Sequence, residues 1–271
     1  MKILFVGDVV GKKGQEALHQ YLPSLKSQYK PQVTIVNAEN IADGRGITEK
    51  LYKWVLSLGV DVITLGNHAF DQREIFDFID GAKNLVRPWN LPATTPGKGV
   101  HYHKVNQYEL AVINLLGAVF MGPCIEPFHF LQDLIKEVRQ RTPFIFIDCH
   151  AEASSEKQAL AYWLDGQITA LVGTHTHIQT NDARVLPGGT GYLTDVGMTG
   201  AYDSIIGFNP QTVIQRFRSQ LPTRLEQAQG SACQLCACLI EVNDNTGLTQ
   251  KIQPLYLHDS KPSSERKYRH V

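Results

Sequence analysis

Apolar and polar positions follow two regimes along this chain. Short, nearly unbroken apolar runs cover 2–6, 33–36, 61–65, 109–115, 144–148, 168–172 and 191–194. Their length and their Val/Ile content suit strands buried on both faces, as in sheets covered by helices. Between them the apolar spacing changes to that of a helix. Ala17, Leu18, Tyr21 and Leu25 share one face from about Gly14, and Pro23 predicts either a kink or two short helices. Ile47, Leu51, Val55 and Leu58 repeat in the same way, with Thr48 placed to cap and Gly59 to stop the helix. Further helices are expected from Asp71, with Ile75, Phe76 and Ile79 inward, and over 128–139, 154–164 and 212–218. Strand, helix, strand, helix, strand in the first eighty residues predicts parallel crossover units. Short strands are also expected at 184–186, 236–241 and 249–257. The last two flank Asn243-Asp244-Asn245-Thr246-Gly247, a hairpin that makes the sheets mixed. Residues 88–99, with Pro92, Pro96 and Gly97, are expected to form an irregular loop, over the site or on the surface. One α/β domain over 1–258 and a loosely held tail over 259–271 complete this reading.

The informative polar residues stand where apolar runs end. Asp8 follows the first run and Glu39 and Asn40 the second. Asn67 and His68 follow the third, and His150 follows the fifth. His175 and His177 follow the sixth, in Gly173-Thr174-His175-Thr176-His177, where strand alternation would point both the same way. In open α/β sheets ligands sit beyond the carboxyl ends of the strands, so these residues are candidates for one shared locus.

Asp8, Glu39, Asn40, Asn67, His150, His175 and His177 offer more donors than one ion takes. A pair of divalent or trivalent metal ions sharing Glu39 is expected. Imidazole, carboxylate and amide oxygen together favour Fe, Mn or Zn over calcium, with Mg as a further option. Such a centre clamps the attacking and leaving oxygens of a phosphoryl transfer. His68, next to a candidate ligand, is the candidate general acid, with Asp71 placed to orient it. The segment carrying Tyr192, Asp195, Gly197, Met198 and Gly200 is expected to line or support the site, whereas Lys157 is expected to sit too far along its helix to touch phosphate. Arg45 lies in a glycine-rich loop, 43–46, that matches neither phosphate-loop pattern.

Composition narrows the partners. Among 271 residues, 26 Lys and Arg balance 26 Asp and Glu, which gives no case for duplex nucleic acid or a membrane surface as a stable partner. A small anionic substrate remains open. No apolar stretch reaches a membrane-spanning length. The five cysteines, an odd number, are expected as buried thiols in a reducing, cytoplasmic setting.

Gly7-Asp8, Gly66-Asn67-His68, His150 and Gly173-Thr174-His175-Thr176-His177 resemble the calcineurin-like metallophosphoesterases. The opening 1–11, 37–40, the run 150–157 and 194–200 extend this to a closer resemblance to the YmdB family, from Met1 to about Leu257. The resemblance implies an αββα sandwich with mixed sheets. It also implies a dinuclear phosphodiesterase acting on cyclic nucleotides, usually 2′,3′-cyclic mononucleotides, and a homo-oligomer, dimer or tetramer. It assigns Asp8, Glu39, Asn40 and His177 to one metal and Glu39, Asn67, His150 and His175 to the other, with His68 as proton donor or substrate contact. Val10 stands where the broader superfamily usually has histidine, and Glu39-Asn40 where it has a bridging aspartate; both are typical of the YmdB branch. A phosphomonoesterase or 5′-nucleotidase on the same centre, or an RNA-related regulator without catalysis, are the alternatives.

Overall fold

The computed structural model describes residues 1–230 and 232–259. The chain first lays down β1 (Lys2–Val6), β2 (Val33–Asn37), β3 (Val62–Thr64) and β4 (Leu85–Val86), parallel neighbours in that order. Helices α1 (Gly11–Tyr29) and α2 (Glu49–Ser57) make the first two crossovers, and the short α3 (Ile75–Phe78) precedes β4. A second sheet follows, of β5 (Val100–Val105), β6 (Tyr108–Leu116), β7 (Phe144–His150), β8 (Ala170–Thr174), β9 (Arg184–Val185) and β10 (Gly191–Leu193). Its order is β5-β6-β7-β8-β10-β9, parallel in the middle and antiparallel at both edges. Helices α4 (Leu131–Arg141) and α5 (Ser154–Trp163) cross it. The chain then returns to the first sheet with β11 (Gly200–Ala201), the surface helix α6 (Pro210–Ser219), and the hairpin β12 (Cys233–Val242) and β13 (Thr249–His258). There β12 pairs antiparallel with β1.

Strand alternation explains the layers. In β1, Ile3 and Phe5 face the second sheet while Leu4 and Val6 face α1, so the whole run is apolar. Phe5 meets Phe146 edge to face across the interface, with ring centroids 5.0 Å apart. Leu18, Leu22 and Val55 cover the outer face of the first sheet; Leu131, Ile135 and Leu160 cover that of the second. Each such side chain contributes about 1.5–3 kcal/mol of burial. The result is an αββα sandwich with mixed sheets, the fold class expected. Among the described residues no helix is long and apolar enough to cross a membrane. All five cysteines are free thiols, four of them buried.

Several local expectations change. α1 is one helix that starts at Gly11 and runs through Pro23, ending on Lys30 in the left-handed conformation. The helix expected from Asp71 is only one turn, followed by a 3-10 turn at Ile79–Gly81; Phe76, expected inward, is 54% exposed. β4 and β11 are two residues each, too short for any periodicity, and the half-buried β5 reads as polar sequence. The Thr48 cap is present, its hydroxyl accepting from the Leu51 N–H. The 88–99 loop is pinned from beneath: the buried Arg87 guanidinium donates to the carbonyls of Pro88, Trp89, Thr95 and Pro96. Asp259, at the start of the expected tail, holds the Cys233 N–H; 260–271 lie outside the described residues.

Candidate metal centre

The carboxyl ends of β1, β2, β3, β7 and β8 open onto one edge of the sandwich, and the candidate ligands meet there. His150, the last residue of β7, is fully buried. Its Nε2 lies 3.0 Å from Asn67 Oδ1, 3.1 Å from Glu39 Oε1 and 3.1 Å from His175 Nδ1. The ligand atoms of Glu39, His150 and His175 all fall within 4.8 Å of one another. On the other side of Glu39, Asn40 Nδ2 is 2.9 Å from Glu39 Oε1 and 3.3 Å from His177 Nε2. Asp8 Oδ2 accepts from the His175 N–H at 3.0 Å. Its Oδ1 is buried with no hydrogen-bond partner among the described residues, 3.9 Å from His150 Nδ1. An orphaned carboxylate oxygen costs about 1–3 kcal/mol or more. Two imidazole nitrogens facing each other across two carboxylates make a cluster of acceptors short of positive charge. The chemistry of this donor set fits first-row metal ions.

The buried charges of the cluster act on one another. Burial raises the Asp8 carboxyl, against the lowering effect of His177 and His150. Burial also opposes ionisation of Glu39, but the His150 imidazole and the His68 N–H outweigh it and hold that carboxyl low. Burial opposes a charge on His150, yet Glu39, Asp8 and Asp148 raise it well above the usual imidazole range. His175, buried beside His150, is pushed down to about 3.

The two histidines of the Gly-Thr-His-Thr-His segment do not alternate on a strand. β8 ends at Thr174, and His175 and His177 take positive φ values of 102° and 65°. That backbone is costly for a residue with a Cβ. It is held by three acceptors. Asp8 takes the His175 N–H, Asp195 Oδ2 takes the Thr176 N–H at 3.1 Å, and the Ile206 carbonyl takes the His177 Nδ1–H at 3.0 Å. The turn aims His175 at His150 and His177 at Asn40, so the two face different partners.

Gly66 lets the ligands close up. A Cβ there would lie 2.1 Å from Glu39 Oε2 and 2.5 Å from the His150 ring. His68 follows, its N–H donating to Glu39 Oε2 at 3.2 Å and its Nδ1–H to Asp71 Oδ2 at 2.8 Å. The Asp71 pairing proposed from spacing alone is thus made. Trp89, in the 88–99 loop, packs on Phe130 with ring centroids 4.4 Å apart on the outer face of the second sheet.

Two supports were missed in the sequence. Asp148 is fully buried in β7 and accepts from the Thr174 hydroxyl at 2.7 Å, which itself lies 2.9 Å from His150 Nδ1. Asn37 and Thr64, from the other sheet, donate to its second oxygen at 2.8 and 2.5 Å. Burial pushes this carboxyl up to about 6, against His150 and the three hydrogen bonds. The available signal was spacing: Asp148 is two before His150, hence on the same strand face. Lys157 is the second, buried with its ammonium 3.0 Å from Asp195 and 2.8 Å from the Thr174 carbonyl. It lies on the Leu160/Ala161 face of α5, an unusual place for a lysine. It supports the turn rather than reaching towards substrate.

Known proteins align over the whole of this architecture. A family profile described as "YmdB-like protein" matches residues 4–255. A Bacillus subtilis protein named 2′,3′-cyclic-nucleotide 2′-phosphodiesterase is 52% identical, over 96% of this chain and 98% of its own length. A structure described as a novel phosphatase from Mycoplasma pneumoniae superposes with a TM-score of 0.91 at 34% identity, covering 99% of this chain and 97% of that one. A Thermus thermophilus protein of no stated activity gives 0.89 at 38% identity, over 96% of this chain and 100% of that one. With β2 to β12 and each strand-end residue inside the matched region, the chain belongs to the YmdB-like protein family.

Proposed function

We propose that the protein is a metal-dependent phosphodiesterase that opens 2′,3′-cyclic nucleotides. The observation that carries this is the convergence of Glu39, Asn67, His150 and His175 on one point, with His68 beside them. The substrate class follows the activity in the name of the 52% identical relative.

In this reading Asp8, Asn40 and His177 would hold one ion and Asn67, His150 and His175 the other, with Glu39 available to both and Fe or Mn foremost. Ions held there supply Lewis acidity to the phosphoryl oxygens and lower the pKa of water. The remaining work belongs to side chains. Asp148 and Thr174 fix the His150 ring so that Nε2 faces Glu39 and Asn67, the role partners of metal-binding imidazoles play elsewhere. Asp71 holds His68 by Nδ1, which leaves Nε2 to donate a proton to the leaving sugar oxygen.

Purified protein supplied with Mn or Fe is assayed on a panel of cyclic nucleotides and phosphomonoesters. A 2′,3′-cyclic nucleotide is expected to turn over fastest, with cleavage of the 2′ ester leaving the nucleoside 3′-monophosphate. Turnover no greater than that of an Asn67→Ala/His68→Ala control sinks the proposal. A higher kcat/KM on monoesters replaces it with a phosphomonoesterase.

A further inference from the structure

Next to His68 the surface opens into a cleft of ≈ 780 Å³, bordered by Gly44, Arg45, Asp71, Phe208, Arg216 and Arg224. That is room for a nucleotide-sized ligand. The cleft is joined to the metal centre through its walls. Asp71 carries the His68 ring on Oδ2, with Arg45 Nη1 3.7 Å from the same oxygen. Gly44 donates its N–H to the carbonyl of Asn40, at 3.1 Å. Phe208 stands two residues after Ile206, whose carbonyl holds His177. A molecule with its reacting phosphate at His68 therefore has this cleft as its neighbour.

The charge of the cleft is local. The chain as a whole is balanced, 26 basic against 26 acidic residues. Two carboxylates, Asp43 and Asp71, border the cleft, and Asp71 is engaged by His68 and Arg45. Arg216 and Arg224 make no ion pair among the described residues, and both are exposed. Planar guanidinium groups lining an open cleft match phosphate oxygens in shape and charge.

A nucleoside 2′,3′-cyclic phosphate has both its 2′ and 3′ oxygens committed to the reacting phosphate. Its remaining sugar attachment point is the 5′ oxygen. We propose that the Arg45/Arg216/Arg224 cleft is a subsite for a phosphate carried on the 5′ oxygen of the substrate, an inference that rests on the cyclic-nucleotide reading above. Two molecules bear that group: a 5′-phosphorylated mononucleotide, and an RNA whose 3′ end is the cyclic phosphate. Phe208, half-buried and lining the cleft, is the aromatic on which the second's preceding base would stack.

Affinity is measured by calorimetry on Mn-loaded His68→Gln protein, which suppresses turnover. Three ligands are compared: adenosine 2′,3′-cyclic phosphate, its 5′-phosphorylated form, and a diadenosine ending in the cyclic phosphate. The 5′-linked ligands are expected to bind about tenfold tighter or more than the first, as two charge-assisted phosphate contacts allow. Arg216→Ala/Arg224→Ala on that background is expected to bring this ratio to within about twofold. Equal affinities for all three ligands, or a ratio untouched by the arginine changes, overturn the proposal. If Phe208→Ala weakens only the dinucleotide, RNA ends are the source; if it spares both, a 5′-phosphate is sufficient. If wild-type protein hydrolyses none of the three while the ratio holds, the hydrolytic reading fails and the subsite stands.

Discussion

Gly66 and Asp71 flank the same short segment and act on it differently. At Gly66 a methyl group meets Glu39 Oε2 at 2.1 Å and the His150 ring at 2.5 Å, so something must move. Gly66→Ala is expected to lower kcat about 100-fold, since a displacement near 1 Å at a reacting centre costs that much. The accompanying loss of stability, from overpacking, is expected at about 1–3 kcal/mol and is read in a urea melt. Asp71 works through charge rather than space. Asp71→Asn keeps a group beside His68 Nδ1 but removes the carboxylate 2.8 Å away. It is expected to lower kcat roughly 10- to 100-fold with little change in KM. Parallel losses in kcat and in substrate affinity show instead that Asp71 only shapes the pocket.

At the scale of elements, one buried ion pair joins α5 to the segment after β10, which in turn holds the turn after β8. Lys157 and Asp195 are both fully buried, and Asp195 also receives the Thr176 and Gly197 N–H groups. Lys157→Met leaves that carboxylate in the interior without its cation, a loss of about 3–5 kcal/mol. The turn then loses its brace and His175 and His177 lose their positive-φ backbone, so activity falls with stability. Lys157→Met/Asp195→Asn is expected to recover part of the melting temperature but not the activity, because the loss is coupled rather than additive. Full recovery of both shows that the pair does not hold the turn. This support was hidden in the sequence because its partners are 38 residues apart. The strand ends were readable because each run is apolar on both faces and stops on a polar residue. His175 and His177 were placed near the site but with the wrong geometry. Periodicity describes a strand, and the chain leaves the strand at Thr174. β4 and β11, two residues each, carry no pattern that length would reveal.

Across the whole molecule, the two sheets bring their carboxyl ends together and with them a concentration of buried acid. Asp8, Glu39, Asp148 and Asp195 are all 1% exposed or less. Lys157 compensates Asp195, and Asn37, Thr64 and Thr174 satisfy Asp148 by hydrogen bonds. Asp8 has only the His175 N–H on one oxygen and nothing on the other among the described residues. The sandwich is thus built with a local deficit of positive charge at the edge where its strands end. If metal ions fill that deficit, binding adds to folding stability by mass action, about 2.7 kcal/mol at a hundredfold excess over Kd. For a chain of this size that is a rise in Tm of roughly 5–10 °C when Mn is restored to chelator-treated protein. Asp8→Asn removes the uncompensated charge while keeping the shape. The metal-free variant is therefore expected to melt at or above metal-free wild type, and its gain on adding Mn is expected to shrink by at least half. A variant that melts lower without metal yet gains as much as wild type with it shows that Asp8 serves the fold alone.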